Sequence, residues 1–387
     1  MVEETVVPEP VEEKVLYQKH PLAIRWFHWI NFPVLAVMIW SGLRICWSER
    51  GDDWFTSLKF RRRLKMLSHL FQCSAAALKA VLASVALGVL QAPAEAGEQE
   101  HFMSNPTFHR TIQVDGLSIF YREAGPKDAP VLLLLHGLPS SSRMFEPLFS
   151  RLSDRFHLIA PDYPGFGHSD WPDPKKFAYT FDHYAEVMNH FTEALALSRY
   201  TLYMQDYGGP VGFRIALAHP ERIQSLIVQD AVAHNEGLGA NWKTRRAFWA
   251  DRAANESALR TNLLSLATTR TRHVGSDPNV ERYDPDLWTD EFAFLSQPAQ
   301  ADIQSDLFYD YRTNVENYPR WQAWMREKQP RLMVIWGKHD LSFELSEPEA
   351  YRRDVPKAEI HVLDAGHFAL DTAADEIAAL VRSFASS

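Results

Sequence analysis

The chain reads as an α/β protein: a mostly parallel sheet of eight strands, helices on both of its faces, and a helical cap inserted between two core strands. Three observations lead there. Short apolar, β-prone runs recur after about residue 105, and helical patterns alternate with them. One long stretch, 233–328, then breaks the alternation with a helical sequence rich in Trp, Tyr, Arg and Ala. Strands that alternate with helices build a parallel sheet buried on both faces.

In chain order, strands are expected near 109–114, 117–122, 131–135, 156–160, 200–205, 225–229, 331–335 and 359–363. Runs such as Val131-Leu132-Leu133-Leu134-Leu135 and Leu332-Met333-Val334-Ile335 are apolar throughout, as strands covered on both sides should be. Helices are expected near 181–197, 209–218, 347–353 and 373–385. Residues 97–232 form the first part of the core, 233–328 the cap and 329–387 the second part of the core.

The composition is ordinary for a globular protein, with 46% apolar and 23% charged residues over a length that allows two or three domains. A net charge of -9 argues against nucleic acid as a partner. The two cysteines, Cys46 and Cys73, precede residue 100, so the region beyond has no disulfide framework and no Cys-based metal site.

The most informative stretch is Leu202-Tyr203-Met204-Gln205-Asp206-Tyr207-Gly208-Gly209-Pro210. A β-prone run stops at an acidic residue, two glycines follow, and a helical pattern begins. That is the layout of a nucleophile elbow, a sharp strand-to-helix turn that exposes one side chain above a sheet. The position usually holds serine, and here it holds Asp206. A carboxylate attacks an sp3 carbon by displacement and forms an alkyl ester, but is ill suited to attacking an amide or ester carbonyl. Downstream, Trp336-Gly337-Lys338-His339-Asp340 and Asp364-Ala365-Gly366-His367-Phe368 each follow an apolar run, giving the order nucleophile, acid, histidine. Upstream stand His136-Gly137-Leu138-Pro139 and Asp162-Tyr163-Pro164-Gly165-Phe166-Gly167-His168-Ser169.

In combination and in order, these motifs resemble those of the α/β-hydrolase fold family, within its haloalkane dehalogenase and epoxide hydrolase group, from about residue 105 to the end. The resemblance implies a nucleophile at Asp206, a water-activating base at His367 and an orienting acid at Asp340. Asp230, after the sixth strand, is an alternative acid, because some haloalkane dehalogenases place the acid there. The backbone amides of Leu138 and Tyr207 are expected to form the oxyanion hole, with His136 and His168 supporting loops. The sequence departs from the dehalogenase pattern at Tyr207, where a tryptophan is usual, and at Leu138, where asparagine is frequent; Met204 stands where a small residue is common. Halide release would then fall to cap tryptophans (Trp242, Trp249, Trp288, Trp321, Trp324). Epoxide opening would need an acid for the departing alkoxide, from among Tyr283, Tyr309, Tyr311 and Tyr318, with Tyr309 and Tyr311 favoured. The expected activity is hydrolysis of a small, apolar electrophile, with no cofactor and no metal. The alternatives are a non-catalytic binding protein of the same fold and a membrane-tethered cytochrome-type fusion.

The last alternative comes from residues 1–96. Trp26 to Leu43 is an apolar run without a Lys, Arg, Asp or Glu, a transmembrane candidate and possible membrane attachment. The segment Lys19-His20-Pro21-Leu22-Ala23-Ile24-Arg25-Trp26-Phe27-His28-Trp29 resembles the start of the first helix of b561-type membrane cytochromes, where His28 would match a haem ligand; no further helices of such a set follow. Next, Arg61-Arg62-Arg63-Leu64-Lys65-Met66, an apolar stretch from Ala80 to Leu90 and the site Ala94-Glu95-Ala96 have the layout of a secretory signal peptide. Cleavage near Ala96 would give a periplasmic or secreted hydrolase; without it the chain would be membrane-anchored.

Overall fold

A computed structural model describes residues 105–386, all within the unit Glu100–Ser387. The apolar run at 26–43, its cytochrome likeness with His28, the signal-like segment 61–96, Cys46 and Cys73 lie outside the described residues. Among the described residues no helix is long and apolar enough to cross a membrane.

Eight strands form one sheet: β1 (Phe108–Val114), β2 (Leu117–Ala124), β3 (Val131–Leu135), β4 (His157–Pro161), β5 (Tyr200–Gln205), β6 (Ile223–Gln229), β7 (Leu332–Gly337) and β8 (Glu359–Leu363). Their spatial order is β1-β2-β4-β3-β5-β6-β7-β8. β2 runs antiparallel to β1 and β4, and the pairs from β4 through β8 are all parallel. The sheet has the expected strand number, and three strands match their expected limits.

The two faces follow the period-two alternation of a strand. Leu133, Leu135, Leu202, Met204, Leu226, Val228, Leu332 and Val334 join one apolar cluster, while Leu132, Leu134, Tyr203, Ile227, Met333 and Ile335 join another. The second cluster is covered by α1 (Glu146–Leu152) and the C-terminal helix, Leu370–Ser386. The first is covered by α2 (Phe181–Ala194) and α3 (Gly208–Ala218). Helix α2 starts where Thr180 Oγ1 accepts from the His183 amide, and it stops short of the expected residue 197 because Ala196 turns left-handed, φ +54°. Helix α1 has no counterpart among the expected helices.

Between β6 and β7 lies the expected cap: α4 (Lys243–Ala250), α5 (Arg252–Leu263), α6 (Leu266–Val274), α7 (Asp286–Leu295) and α8 (Gln300–Lys328). Asp251 and Ser265 cap α5 and α6 with their side-chain oxygens. Apolar residues of α4, α5 and α8, including Phe248, Leu259, Phe308 and Trp321, merge with the core cluster on the α3 face. The remaining helices are α9 (Glu347–Asp354) and α10 (Leu370–Ser386). The parallel strands all end at one edge of the sheet, which brings together the loops after β3, β5, β6, β7 and β8.

Candidate active site

The loop after β5 carries Asp206 with φ +46°, a left-handed conformation that costs a non-glycine residue about 1–2 kcal/mol. The turn is held by close backbone approach. A Cβ on Gly208 would stand 2.1 Å from the Leu135 carbonyl oxygen, and one on Gly137 would stand 2.1 Å from Gln205 Oε1. Glycine at these two positions lets the elbow press against β3 and its following loop. Asp206 retains 7% exposure, so its carboxylate faces the site and not the core.

The Leu138 amide donates to Asp206 Oδ2 at 3.0 Å, and His367 Nε2 lies 3.7 Å from the same oxygen. On its other edge, His367 Nδ1 donates to Asp340 Oδ2 at 2.9 Å, and Asp340 Oδ1 accepts from the Ser342 amide at 2.6 Å. The structure thus brings the three sequence-expected residues into one line. Tyr207 follows Asp206 as the N-cap of α3.

His367 is 1% exposed, between the rings of Phe343 and Phe368. Burial alone would lower its pKa. The Asp340 and Asp206 carboxylates outweigh that and hold the imidazole well above its ordinary value. Gln205 is a neighbour that the sequence did not single out: its Nε2 lies 3.2 Å from His367 Nε2 and donates to the His367 carbonyl at 3.3 Å.

Asp230 ends β6 as Asp206 ends β5. The strands pair Gln205 with Gln229, and Asp230 also has a left-handed φ, +43°. Its Oδ1 accepts from the Gly337 amide at 2.9 Å, and its buried Oδ2 has no partner. Asp230 lies in one cluster with Asp340 and His367, yet the bond to the imidazole belongs to Asp340. Complete burial, and then the Asp340 charge, push the Asp230 pKa well above its ordinary value.

The expected leaving-group donors separate. Tyr311 packs its ring 6.2 Å from that of Tyr207 and 4.8 Å from that of Trp242, and Asp206 is among the charges that raise its pKa after burial. Tyr309 does not join it: its ring lies beneath the Arg312 guanidinium at 3.9 Å and against Phe248. Positions two apart on a helix point about 200° from each other, so one of this pair had to face away. The Trp242 and Trp249 indoles are also committed, donating to the carbonyls of Ser342 and Phe308. Tyr163 and Tyr207, both buried, leave their hydroxyls without a partner, and both feel the Asp206 charge. His136 supports a loop, its Nε2 accepting from the Tyr163 amide at 3.2 Å, whereas the His168 ring makes edge contacts with Phe120 and Phe294.

A cavity of about 230 Å³ opens between core and cap, and Asp206 is not among its lining residues. Its inner wall includes Pro139 and Phe368, the chain neighbours of Leu138 and His367, and its outer wall includes Leu287 and Phe294 of the cap. At its rim His273 lies between Asp371 Oδ2 and Glu291 Oε2, each 2.8 Å away. Burial would lower the pKa of His273, but the two carboxylates raise it to about 10.

The family model for the alpha/beta hydrolase fold matches residues 130–374. An uncharacterized hydrolase of Saccharomyces cerevisiae, YNR064C, is 37% identical over 269 residues, covering 68% of this chain and 92% of that protein. A cis-3-alkyl-4-alkyloxetan-2-one decarboxylase of Xanthomonas campestris is 25% identical over 296 residues, covering 70% and 92% respectively. Haloalkane dehalogenase 2 of Mycobacterium tuberculosis is 37% identical over 99 residues, 26% of this chain and 34% of that one. With the strand order, the elbow and the match of model and relatives in agreement, the chain belongs to the α/β-hydrolase family.

Proposed function

We propose that this hydrolase uses Asp206 as a carbon nucleophile and passes through an alkyl-ester intermediate. The observation that carries the reading is a carboxylate, not a hydroxyl, at the elbow, with His367 Nε2 3.7 Å from its Oδ2. A carboxylate oxygen attacks an electrophilic carbon, the C–O bond of the ester forms, and the bond to the leaving group breaks with its electron pair. A halide leaves as the anion; an epoxide oxygen leaves as an alkoxide and takes a proton. Water then attacks Asp206 Cγ, His367 Nε2 takes the proton, and collapse of the tetrahedral intermediate releases an alcohol and restores the carboxylate. The Leu138 amide, with that of Tyr207, faces the developing oxyanion.

The electrostatics support this sequence. While Asp206 is ionised, it helps keep His367 protonated. Esterification neutralises Asp206 and removes that contribution, so the imidazole becomes a stronger candidate for a free base just when water must be activated. Of the two leaving groups, oxygen is favoured. The Trp242 and Trp249 N–H groups are committed elsewhere, whereas the phenols of Tyr163 and Tyr207 are neutral, buried and unpartnered close to Asp206. The relative that acts on an oxetan-2-one and the haloalkane dehalogenase both fit a reading of attack by a carboxylate.

Intact-mass analysis of the full chain carrying His367→Gln, after incubation with epoxides and haloalkanes, tests the reading. The expected result is an adduct on Asp206 equal to the whole epoxide, or to the haloalkane minus halide. No adduct from either panel, with an inactive wild type, would overturn it in favour of a non-catalytic binding protein.

A further inference from the structure

Among the cap arginines without a carboxylate partner among the described residues, Arg272 and Arg245 each hold a buried, unpartnered guanidinium nitrogen. Arg272, near the end of α6, is 8% exposed. Its Nη2 donates to the Leu263 carbonyl at 3.1 Å, and its buried Nη1 has no partner. Arg245, on α4, lies over the Trp242 ring at 4.6 Å and the Phe308 ring at 5.8 Å, with its Nη1 on the Asn241 carbonyl and its buried Nε unpartnered. Among the described residues neither has a carboxylate oxygen within 4.0 Å, whereas the buried Arg122 pairs with Glu146 at 3.2 Å. Removing a guanidinium from water without a counter-ion is costly, and two near each other add repulsion.

Both groups sit on cap elements that pack against the loops of the site. Phe308, beneath Arg245, packs against Tyr207, the residue after Asp206. The His273 carbonyl, one residue after Arg272, abuts Gly366 so closely that a Cβ there would stand 2.0 Å away, so this end of α6 sits on the loop that carries His367. The Arg245 and Asp206 charges both act on Arg272. Burial, with the Arg245 charge adding to it, pulls Arg272 down to about 10, and the Asp206 charge opposes the fall.

From this placement we infer that Arg272 and Arg245 form an anion site in the cap, and that the substrate carries a carboxylate which they hold while Asp206 attacks a nearby carbon. The inference rests on the nucleophile reading and adds a charged group to the small, largely apolar electrophile expected from sequence. Asp206 by itself is an inadequate counter-ion. Its Oδ2 is engaged by the Leu138 amide and faces His367, and its charge disappears in the ester intermediate. A substrate carboxylate keeps its charge through both steps. The planar fork of a guanidinium matches two carboxylate oxygens better than a spherical halide. Glu291 is the other acid that Arg272 feels, and it is committed to His273 at 2.8 Å.

The test uses the full chain, as wild type and as Arg272→Gln, with oxirane-carboxylate and a short ω-chloro carboxylate, each beside its uncharged amide. The wild type should prefer the acids. Arg272→Gln should raise KM for the acids by at least about 30-fold while changing the amides little. Calorimetric binding of butanoate against butanamide reads the anion site without any chemistry, so it stands or falls separately from ester formation. Butanoate binding lost in Arg272→Gln supports the inference even if no adduct forms. Equal turnover of acids and amides by the wild type overturns it. So does a defect in Arg272→Gln confined to chloride release or chloride inhibition, which would assign the cations to a leaving halide.

Discussion

His273 makes the strongest quantitative prediction. It bridges Glu291 of α7 and Asp371 of α10, stacks on Phe368 at 4.5 Å, and so ties the cap to the helix that follows His367. Its folded pKa of about 10 lies above the unfolded value of 6.5. A raised pKa contributes stability that is complete below about pH 6.5 and is lost as pH rises through 10. Over that window the folded state holds one more proton than the unfolded one, so stability falls by about 1.4 kcal/mol per pH unit, with a ceiling near 5 kcal/mol. The clean perturbation is His273→Gln with Asp371→Asn and Glu291→Gln, which replaces the ion-paired trio by neutral hydrogen-bonding groups and strands neither carboxylate. Urea unfolding of both proteins at pH 7, 8 and 9 gives the difference in stability at each pH. Across these two units the wild type should lose roughly 2–3 kcal/mol relative to the variant. A difference that stays flat from pH 7 to 9 would refute the protonated latch.

Two further substitutions test the line and the turn. Asp340→Asn should lower kcat by on the order of 10²–10⁴, because the imidazole loses the charge that orients it, whereas Asp230→Asn should leave kcat within about 3-fold, since the imidazole bond belongs to Asp340; the reverse order would make Asp230 the acid. Gly208→Ala should lower stability by on the order of 3 kcal/mol and abolish turnover, because the new methyl meets the backbone of β3 at 2.1 Å; a wild-type urea midpoint would show that the turn has room.

Much of the core was legible because its signals are local. Continuous apolar runs marked the strands, and Gly-Gly after Asp206 marked the elbow. What escaped needed three-dimensional placement. Helix α1 is a single short segment with Pro147 in its first turn, too brief for a periodic pattern to stand out. Asp340 and Asp230 follow neighbouring strands and read alike in sequence; only the path of the chain after β7 gives the imidazole bond to Asp340. Tyr309 and Tyr311 differ in role through the rotation of α8. Arg245 and Arg272 sit in Lys243-Thr244-Arg245-Arg246 and Thr269-Arg270-Thr271-Arg272, strings that read as solvated charge. Their enclosure comes from the packing of the cap onto the core.

The paired left-handed aspartates at the ends of β5 and β6 have a consequence for how this chain can change. At position 206 robustness and turnover select against each other. Glycine would relieve about 1 kcal/mol of backbone strain and delete the nucleophile in the same step. At position 230 the two pressures are compatible, because asparagine tolerates the backbone and its side-chain oxygen can still accept from the Gly337 amide. A library randomised at both sites and sorted for folding alone should drift toward glycine and asparagine at each. Sorted again for activity, it should return to aspartate at 206 and keep its asparagines at 230, separating the cost of the backbone from the demand of the chemistry.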